Sequence, residues 1–385
     1  MPLTPATAHP DAAPYDALLL YSFGGPDAPG DVLPFLRNVT RGKSIPPERL
    51  VEVGAHYDVF GGRSPLNGQN RALVDALRAE LARRGVDLPI AWGNRNWQPF
   101  TTRALADLRA QGARRVLAIA TSAYGSYSGC RQYREDLARS LAELADQTGE
   151  PAALAVDKLR HYFNHPGFVR ANADAVVEAF AELGDVGSDA RLVFVTHSIP
   201  DAMEAASGAV QPSYRTQHLD VAALVAADVA VRIGRPIDWR LAFCSRSGPP
   251  HQPWLSPDVN DVLGELAGTG TRSVVLAPIG FISDHMEVAY DLDIQALQTA
   301  RRSGLTAVRA GTVSTRQVFV SALVDLVLER AARERGEDVA RVAAGTLGAW
   351  PDVCRAGCCL ARAGVVSDVP AACGEDSDPT RWSVR

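Results

Sequence analysis

Nowhere in the chain is there an apolar stretch of the roughly 20 residues needed to span a bilayer. The first ten residues, Met1-Pro2-Leu3-Thr4-Pro5-Ala6-Thr7-Ala8-His9-Pro10, lack the basic start and long apolar core of a secretory signal. A basic excess is missing too. Lys and Arg number 39 against 44 Asp and Glu, a net charge of -5, so no positive face is expected to displace counterions from nucleic acid. Short-period repeats and low-complexity tracts are also lacking. These absences predict a soluble cytosolic protein with no integral membrane segment and no nucleic-acid partner. What is present is an ordinary globular composition, 46% hydrophobic and 22% charged over 385 residues, enough for two domains with a core each. Six cysteines, four of them crowded near the C-terminus, point in a reducing cytosol to metal binding over disulfides.

The order of the patterns predicts an α/β fold. An apolar run over residues 17–23 stops at Gly24-Gly25-Pro26, a turn signal. A short helix over 32–37, a basic loop Arg41-Gly42-Lys43 and the breaker Gly61-Gly62-Arg63-Ser64-Pro65 follow, then a helix over 70–84. Strands over 88–92 and 115–120 alternate with helices over 101–110 and 133–145, the sign of βαβ units and a parallel sheet. The pattern then restarts: a helix over 166–183, a strand ending at His197, further strands over 240–244, 273–278 and 306–310, and helices over 214–233 and 259–266. A long helix over 315–333 precedes an irregular tail. The expected division is a disordered lead over 1–14, Rossmann-like domains over 15–155 and 156–312, a helix over 313–336 returning to the first domain, and a cysteine-rich extension over 337–385.

Chemistry is expected at two strand ends. Leu192-Val193-Phe194-Val195 reads as a strand buried on both faces, and the change to Thr196-His197-Ser198-Ile199-Pro200 opens it into a loop. In open parallel sheets the ligand crevice lies outside the carboxyl ends of the strands, so His197 should face a crevice. The bland alternative is a satisfied core histidine. After the strand over 273–278, Ser283-Asp284-His285-Met286-Glu287 looks like a helix start, with Asp291 one turn beyond Glu287 on the same face. Here the bland alternative is a solvated acidic face. An imidazole opposite a carboxylate suits proton acceptance and passage of a divalent metal. By helical spacing His285 points to another side, and His9, His161, His165, His218 and His251 are expected on the surface or in loops.

Leu18-Leu19-Leu20-Tyr21-Ser22-Phe23-Gly24-Gly25-Pro26, Gly61-Gly62-Arg63-Ser64-Pro65, Thr196-His197-Ser198-Ile199-Pro200, Ser245-Arg246-Ser247-Gly248-Pro249 and Gly280-Phe281-Ile282-Ser283-Asp284-His285-Met286-Glu287 occur in the order and approximate spacing of the ferrochelatases. The chain resembles that family over residues 15–335. The resemblance implies insertion of ferrous iron, as substrate, into a porphyrin held in a cleft between two Rossmann-like domains. It assigns His197 and Glu287 to the pyrrole nitrogens and to metal handling, with Asp291 continuing an acidic path. Phe23, Arg41, Ser64, Tyr124 and Tyr127 become expected porphyrin contacts, the Arg and hydroxyl donors suiting carboxylates. Coproporphyrin III is favoured, because no long apolar lip is evident beside Arg63-Ser64-Pro65, and a monomer is expected. The alternatives are a protoporphyrin IX enzyme, a cobalt or nickel chelatase, or a non-catalytic carrier of tetrapyrrole or iron.

The cysteines do not follow the paired Cys-x-x-Cys of a zinc site. They are similar to those of ferrochelatases that carry a 2Fe-2S cluster on one internal and three C-terminal cysteines. The resemblance implies Cys130, Cys354 and Cys359 as ligands and leaves the fourth open between Cys358 and Cys373. Adjacent cysteines are not expected to turn both sulfurs readily to one cluster. Cys244 reads as a small buried hydrophobe.

Overall fold

A computed structural model describes residues 11–42, 45–149, 154–249, 251–365 and 367–377. His9, Lys43 and the lead as far as Pro10 lie outside the described residues. The remainder of the expected disordered lead, residues 11–14, is a turn with Ala12 fully buried.

The chain builds two parallel four-stranded sheets of identical topology. In the first, β1 (Ala17–Ser22) lies between β2 (Ile90–Asn94) and β3 (Arg115–Ala120), with β4 (Ala155–Lys158) at the edge. In the second, β5 (Arg191–His197) lies between β6 (Trp239–Cys244) and β7 (Ser273–Ala277), with β8 (Thr306–Arg309) at the edge. Every residue of β1 and of β7 is buried, which is why these strands read as unbroken apolar runs. In each sheet the chain moves first to one side and then to the other. The topological switch points therefore fall between β1 and β3 and between β5 and β7, where ligand crevices form in such sheets.

Helices cover both faces. They are α1 (Val32–Val39), α2 (Pro47–Asp58), α3 (Leu66–Arg83), α4 (Thr101–Ala110), α5 (Gln132–Thr148), α6 (Pro166–Leu183), α7 (Asp201–Ser207), α8 (Tyr214–Ile233), α9 (Val259–Gly268), α10 (Met286–Val288), α11 (Leu297–Arg302) and α12 (Gln317–Glu334). Two π-helical stretches, Tyr127–Arg131 and Ala289–Ala296, precede α5 and α11. The division expected at residue 155 fails locally. β4 pairs in parallel with β3 from Ala155 to Lys158, so the first sheet runs past it. This four-residue edge strand has too little buried apolar side chain to announce itself.

One apolar core joins both lobes, taking in Leu18 and Leu20 of β1, Phe194 of β5, Val275 of β7 and the buried face of α12. α12 packs against both α3 and α6. Buried Glu80 of α3 accepts from Arg83, Arg84, Gln317 and Ser321, and these hydrogen bonds, led by Arg83, hold its carboxyl far below the usual range. After α12 the described residues form no further helix or strand. The tail is held by side chains: Arg160 donates to Val342 O at 2.8 Å, Asn164 to Gly348 O at 2.7 Å, and Arg131 and Arg134 pair with Asp376. Among the described residues no helix is long and apolar enough to cross a membrane.

Candidate active site

His197 is the last residue of β5, at the carboxyl edge beside the switch point. Its backbone is fixed from behind. Tyr214 of α8 donates its hydroxyl to His197 O at 3.1 Å and lies 2.7 Å from Thr196 Oγ1, which is also 2.9 Å from His218 Nε2. The loop after β7 reaches the same edge because residue 280 is glycine. A Cβ there would lie 2.1 Å from Thr196 Oγ1. Through that close approach Glu287 meets His197, with Nε2 and Oε2 3.4 Å apart. The His197 and Glu287 side chains keep 32% and 57% of their surface open. They are neither sealed in separate cores nor far apart.

His197 Nδ1 contacts Ser198 O. A carbonyl can only accept, so this contact puts the ring proton on Nδ1 and leaves Nε2 with a lone pair. Burial lowers the imidazole pKa, but the Glu287 hydrogen bond and charge outweigh it and the net direction is up. His285 lies closer than helical spacing predicts, with Nδ1 4.0 Å from the same Glu287 oxygen. It is an extended N-cap residue at φ -132° and ψ 177°, outside the helical rotation that would turn it away. Burial moves its pKa down, opposite to His197. Asp291 follows in the π-helix and not in a continuing α-helix, close enough to Glu287 for that carboxylate to help raise its pKa. Its carboxylate accepts from the Ser245 hydroxyl, and burial pushes its pKa up to about 6.

The first lobe forms the wall beside this row. Val32, Phe35, Leu36 and Tyr57 of α1 and α2 pack with Met286 in one apolar cluster that also takes in Trp97 and Tyr290. His56 stacks on Tyr290 with ring centroids 3.9 Å apart, and Gln69 Oε1 accepts from Asp284 N at 2.8 Å. α2 was not foreseen: its apolar residues are too sparse to trace a stripe, and most of the helix is exposed. On the other flank a cavity of about 460 Å³ is lined by Ser198, Phe243, Arg246, Trp254, Leu255 and Asp258 among others.

The expected porphyrin contacts divide. Phe23 follows β1, partly exposed and edge-on to Phe35 at 6.3 Å, beside this wall. Arg41 is exposed at the end of α1, bonded to Asn38. Ser64 is buried against Gly25, which has room for it only as glycine. Tyr124 requires correction as a wall residue. It is 2% exposed, stacks on His218 at 3.7 Å and donates to Ile279 O at 3.0 Å, tying the first lobe to the end of β7. Tyr127 donates to Glu135 at 3.1 Å and starts the π-helix that carries Cys130, so it belongs with the cysteines. His161 and His165 lie in the loop between β4 and α6, as expected, though buried, while His218 is buried within α8, contrary to the surface or loop expectation. His161 packs on Trp350, 189 positions on, at 5.6 Å, and His218 on Tyr124 at 3.7 Å, contacts that no local pattern reports.

Cys130, Cys354, Cys358 and Cys359 form one buried cluster. Cys130 and Cys354 sulfurs are 3.8 Å apart, those of Cys358 and Cys359 3.4 Å. Neighbouring Cys358 and Cys359 both face inward, against expectation, because Cys359 takes a left-handed backbone at φ 55°. Cys373 turns away to donate to Val156 O at 3.1 Å. Cys244 is buried at the end of β6. Among the described residues no group of three or more His, Cys, Asp or Glu is arranged to hold a single metal ion.

A profile of the family described as Ferrochelatase matches residues 15–331. "Coproporphyrin III ferrochelatase" of Streptomyces coelicolor is 55% identical over 373 residues, covering 95% of this chain and 98% of that protein. "Ferrochelatase" of Rhodopirellula baltica is 45% identical over 348 residues, covering 90% and 94%. Among solved structures, SirB from Bacillus subtilis with Fe3+ aligns over 83% of this chain and 97% of its own, at 13% identity and a TM-score of 0.48. The chain belongs to the ferrochelatase family, enzymes that insert ferrous iron into a porphyrin.

Proposed function

We propose that the porphyrin is coproporphyrin III, that His197 takes its pyrrole protons, and that Glu287 and Asp291 handle the metal and the released charge. The observation that carries this reading is the 3.4 Å approach of His197 Nε2 to Glu287 Oε2 with both side chains open to solvent. As ferrous iron enters, two N–H bonds of the macrocycle break, four iron–nitrogen bonds form and two protons leave. Nε2 accepts a proton, and the adjacent carboxylate stabilises the imidazolium. Asp291, with a pKa near 6, can hold a proton close to neutrality and relay it inward from Glu287. Coproporphyrin is favoured by the activity for which relatives such as that of Streptomyces coelicolor are named. In this reading the working unit is a cytosolic monomer of two lobes.

The same reading gives the four clustered cysteines a 2Fe-2S cluster. Two sulfur pairs at 3.8 and 3.4 Å resemble two thiolate pairs on adjacent irons, since tetrahedral metal–thiolate bonds of about 2.3 Å put sulfurs roughly 3.8 Å apart. A missing negative charge is also signalled. Buried Lys158 donates only to Leu159 O and pairs with no carboxylate among the described residues, and Arg134 Nη1 is buried without a partner. When bound, the cluster supplies a covalent tie and a one-electron centre. Cys130 would anchor it to the first lobe, Cys354, Cys358 and Cys359 to the tail, and Gln211 donates to Cys358 Sγ at 2.6 Å from the second lobe.

The test is metal insertion, with ferrous iron or zinc, into coproporphyrin III and protoporphyrin IX in parallel, for wild type and His197→Ala. Coproporphyrin should be the better substrate, and the variant should lose about 10²–10⁴ in kcat while still binding porphyrin. Equal use of both porphyrins refutes the substrate assignment. Binding without metallation in wild type would make the chain a carrier.

A further inference from the structure

We propose that Arg309 is a positioning residue for metal insertion, fixing both ends of the segment that carries His285, Glu287 and Asp291. The proposal rests on reading Glu287 and Asp291 as working carboxylates.

Arg309 ends β8, and its backbone is set by pairing with Leu276 of β7. Its guanidinium reaches two carboxylates. Nε and Nη2 meet Asp293 at 2.5 and 3.0 Å, and Nη1 and Nη2 meet Asp284 at 3.1 and 3.4 Å. Asp284 directly precedes His285, and Asp293 lies within the π-helix two residues after Asp291. The clamp therefore closes on both sides of the reactive row. The Arg309 side chain is only 16% exposed, and although burial disfavours its charge, the two carboxylates raise its pKa overall.

A π-helix is rare and is found frequently at functional sites. Here the segment between Met286 and Ala296 changes from α to π geometry, and Asp293 on that stretch is tied to a sheet edge. The same guanidinium offsets two of the four acids within ten residues, Asp284 and Asp293. Glu287 and Asp291 are left to face the site. A planar fork serves two carboxylates at once in a way an ammonium cannot. From the other side Gln69 accepts from the Asp284 backbone, so Arg309 also fixes the residue through which the first lobe touches the segment.

The test compares Arg309→Met, Arg309→Lys and Asp293→Asn with Arg272→Met, which removes an exposed pair to Asp189 outside the site. For each, kcat, the KM for metal, porphyrin affinity and Tm are measured. Arg309→Met should lower kcat/KM for metal about 10- to 100-fold with porphyrin affinity within twofold. Arg309→Lys should recover part of that loss, Asp293→Asn should show a smaller loss of the same kind, and Arg272→Met should match wild type. If Arg309→Met turns over within twofold of wild type while Glu287→Gln is impaired, the proposal fails and the site reading stands. If Glu287→Gln is itself at wild-type level, the site reading fails first. Should Arg309→Met not fold, the other two decide: wild-type kinetics in both overturns the proposal. A loss that tracks Tm alone, with no recovery in Arg309→Lys, also overturns it.

Discussion

Gly280→Ala tests how the two halves of the site are brought together. Gly280 does not have a positive φ, so its role is close approach and not backbone freedom. A methyl group would lie 2.1 Å from Thr196 Oγ1, 2.6 Å from its Cβ and 2.9 Å from its Cα. Thr196 cannot swing aside, because its hydroxyl is held by Tyr214 at 2.7 Å and His218 at 2.9 Å and all three are buried. Ordinary contact begins near 3.4 Å, so the loop after β7 must retreat by more than 1 Å. Overpacking of this kind costs about 1–3 kcal/mol, which lowers Tm by a few degrees. The larger effect is on catalysis, since the loop leads into Glu287, and a misplacement near 1 Å can cost about 100-fold. We expect kcat to fall roughly 100-fold in a continuous zinc-insertion assay while porphyrin affinity changes little. A variant with kcat within twofold of wild type would refute the claim that this contact sets the distance between His197 and Glu287.

Three further outcomes are expected. His197 accepts protons only when neutral, so activity should rise with pH as the imidazole deprotonates. Glu287→Gln removes the largest of the influences that raise its pKa against burial, so that acid limb should move to lower pH as kcat falls; a pH–rate series in which the limb stays put or moves up contradicts the pairing. Cys358→Ser should lower iron and sulfide content and bleach the visible absorption, whereas Cys373→Ser, whose thiol faces Val156 O, should keep both; the reverse pattern would exchange their roles. Lys158→Met removes a buried cation facing the cysteines, so a spectroelectrochemical titration should find the proposed 2Fe-2S cluster tens of millivolts harder to reduce, and an unchanged potential would discount its charge.

The strands that carry the chemistry were legible because buried parallel strands leave unbroken apolar runs ended by turn signals. His197 and the loop after β7 could be assigned to one sheet edge on that basis alone. Weakly apolar or very short elements left no such signal. The edge strand β4, the exposed α2 and the seven-residue α7 all took their place from tertiary contacts. The π-helix is a sharper case. Its sequence, Ala289-Tyr290-Asp291-Leu292-Asp293-Ile294-Gln295-Ala296, fits α-helical spacing, and the π geometry it takes instead accompanies contacts with Ser245 and Arg309 that no local pattern contains.

Tyr124 and the cysteines mark where reasoning from position in a loop stops working. Tyr124 follows a strand, as a cleft wall residue would, yet its ring is claimed by His218 and its hydroxyl by Ile279 O. A loop at a domain seam is interior on both sides, so the rule that strand-end loops face ligand does not apply there. The fourth cysteine turns on a single backbone angle. Two adjacent side chains in extended or helical backbone diverge, which leaves the sequence open between Cys358 and Cys373. With Cys359 left-handed at φ 55°, the chain reverses locally and both sulfurs converge on Cys130 and Cys354. Cys373 is left-handed too, at φ 58°, but beside the isolated parallel bridge from Cys354 to Gly374 its thiol points to β4. Spacing limits which cysteines can converge, and the handedness of one residue decides which of them do.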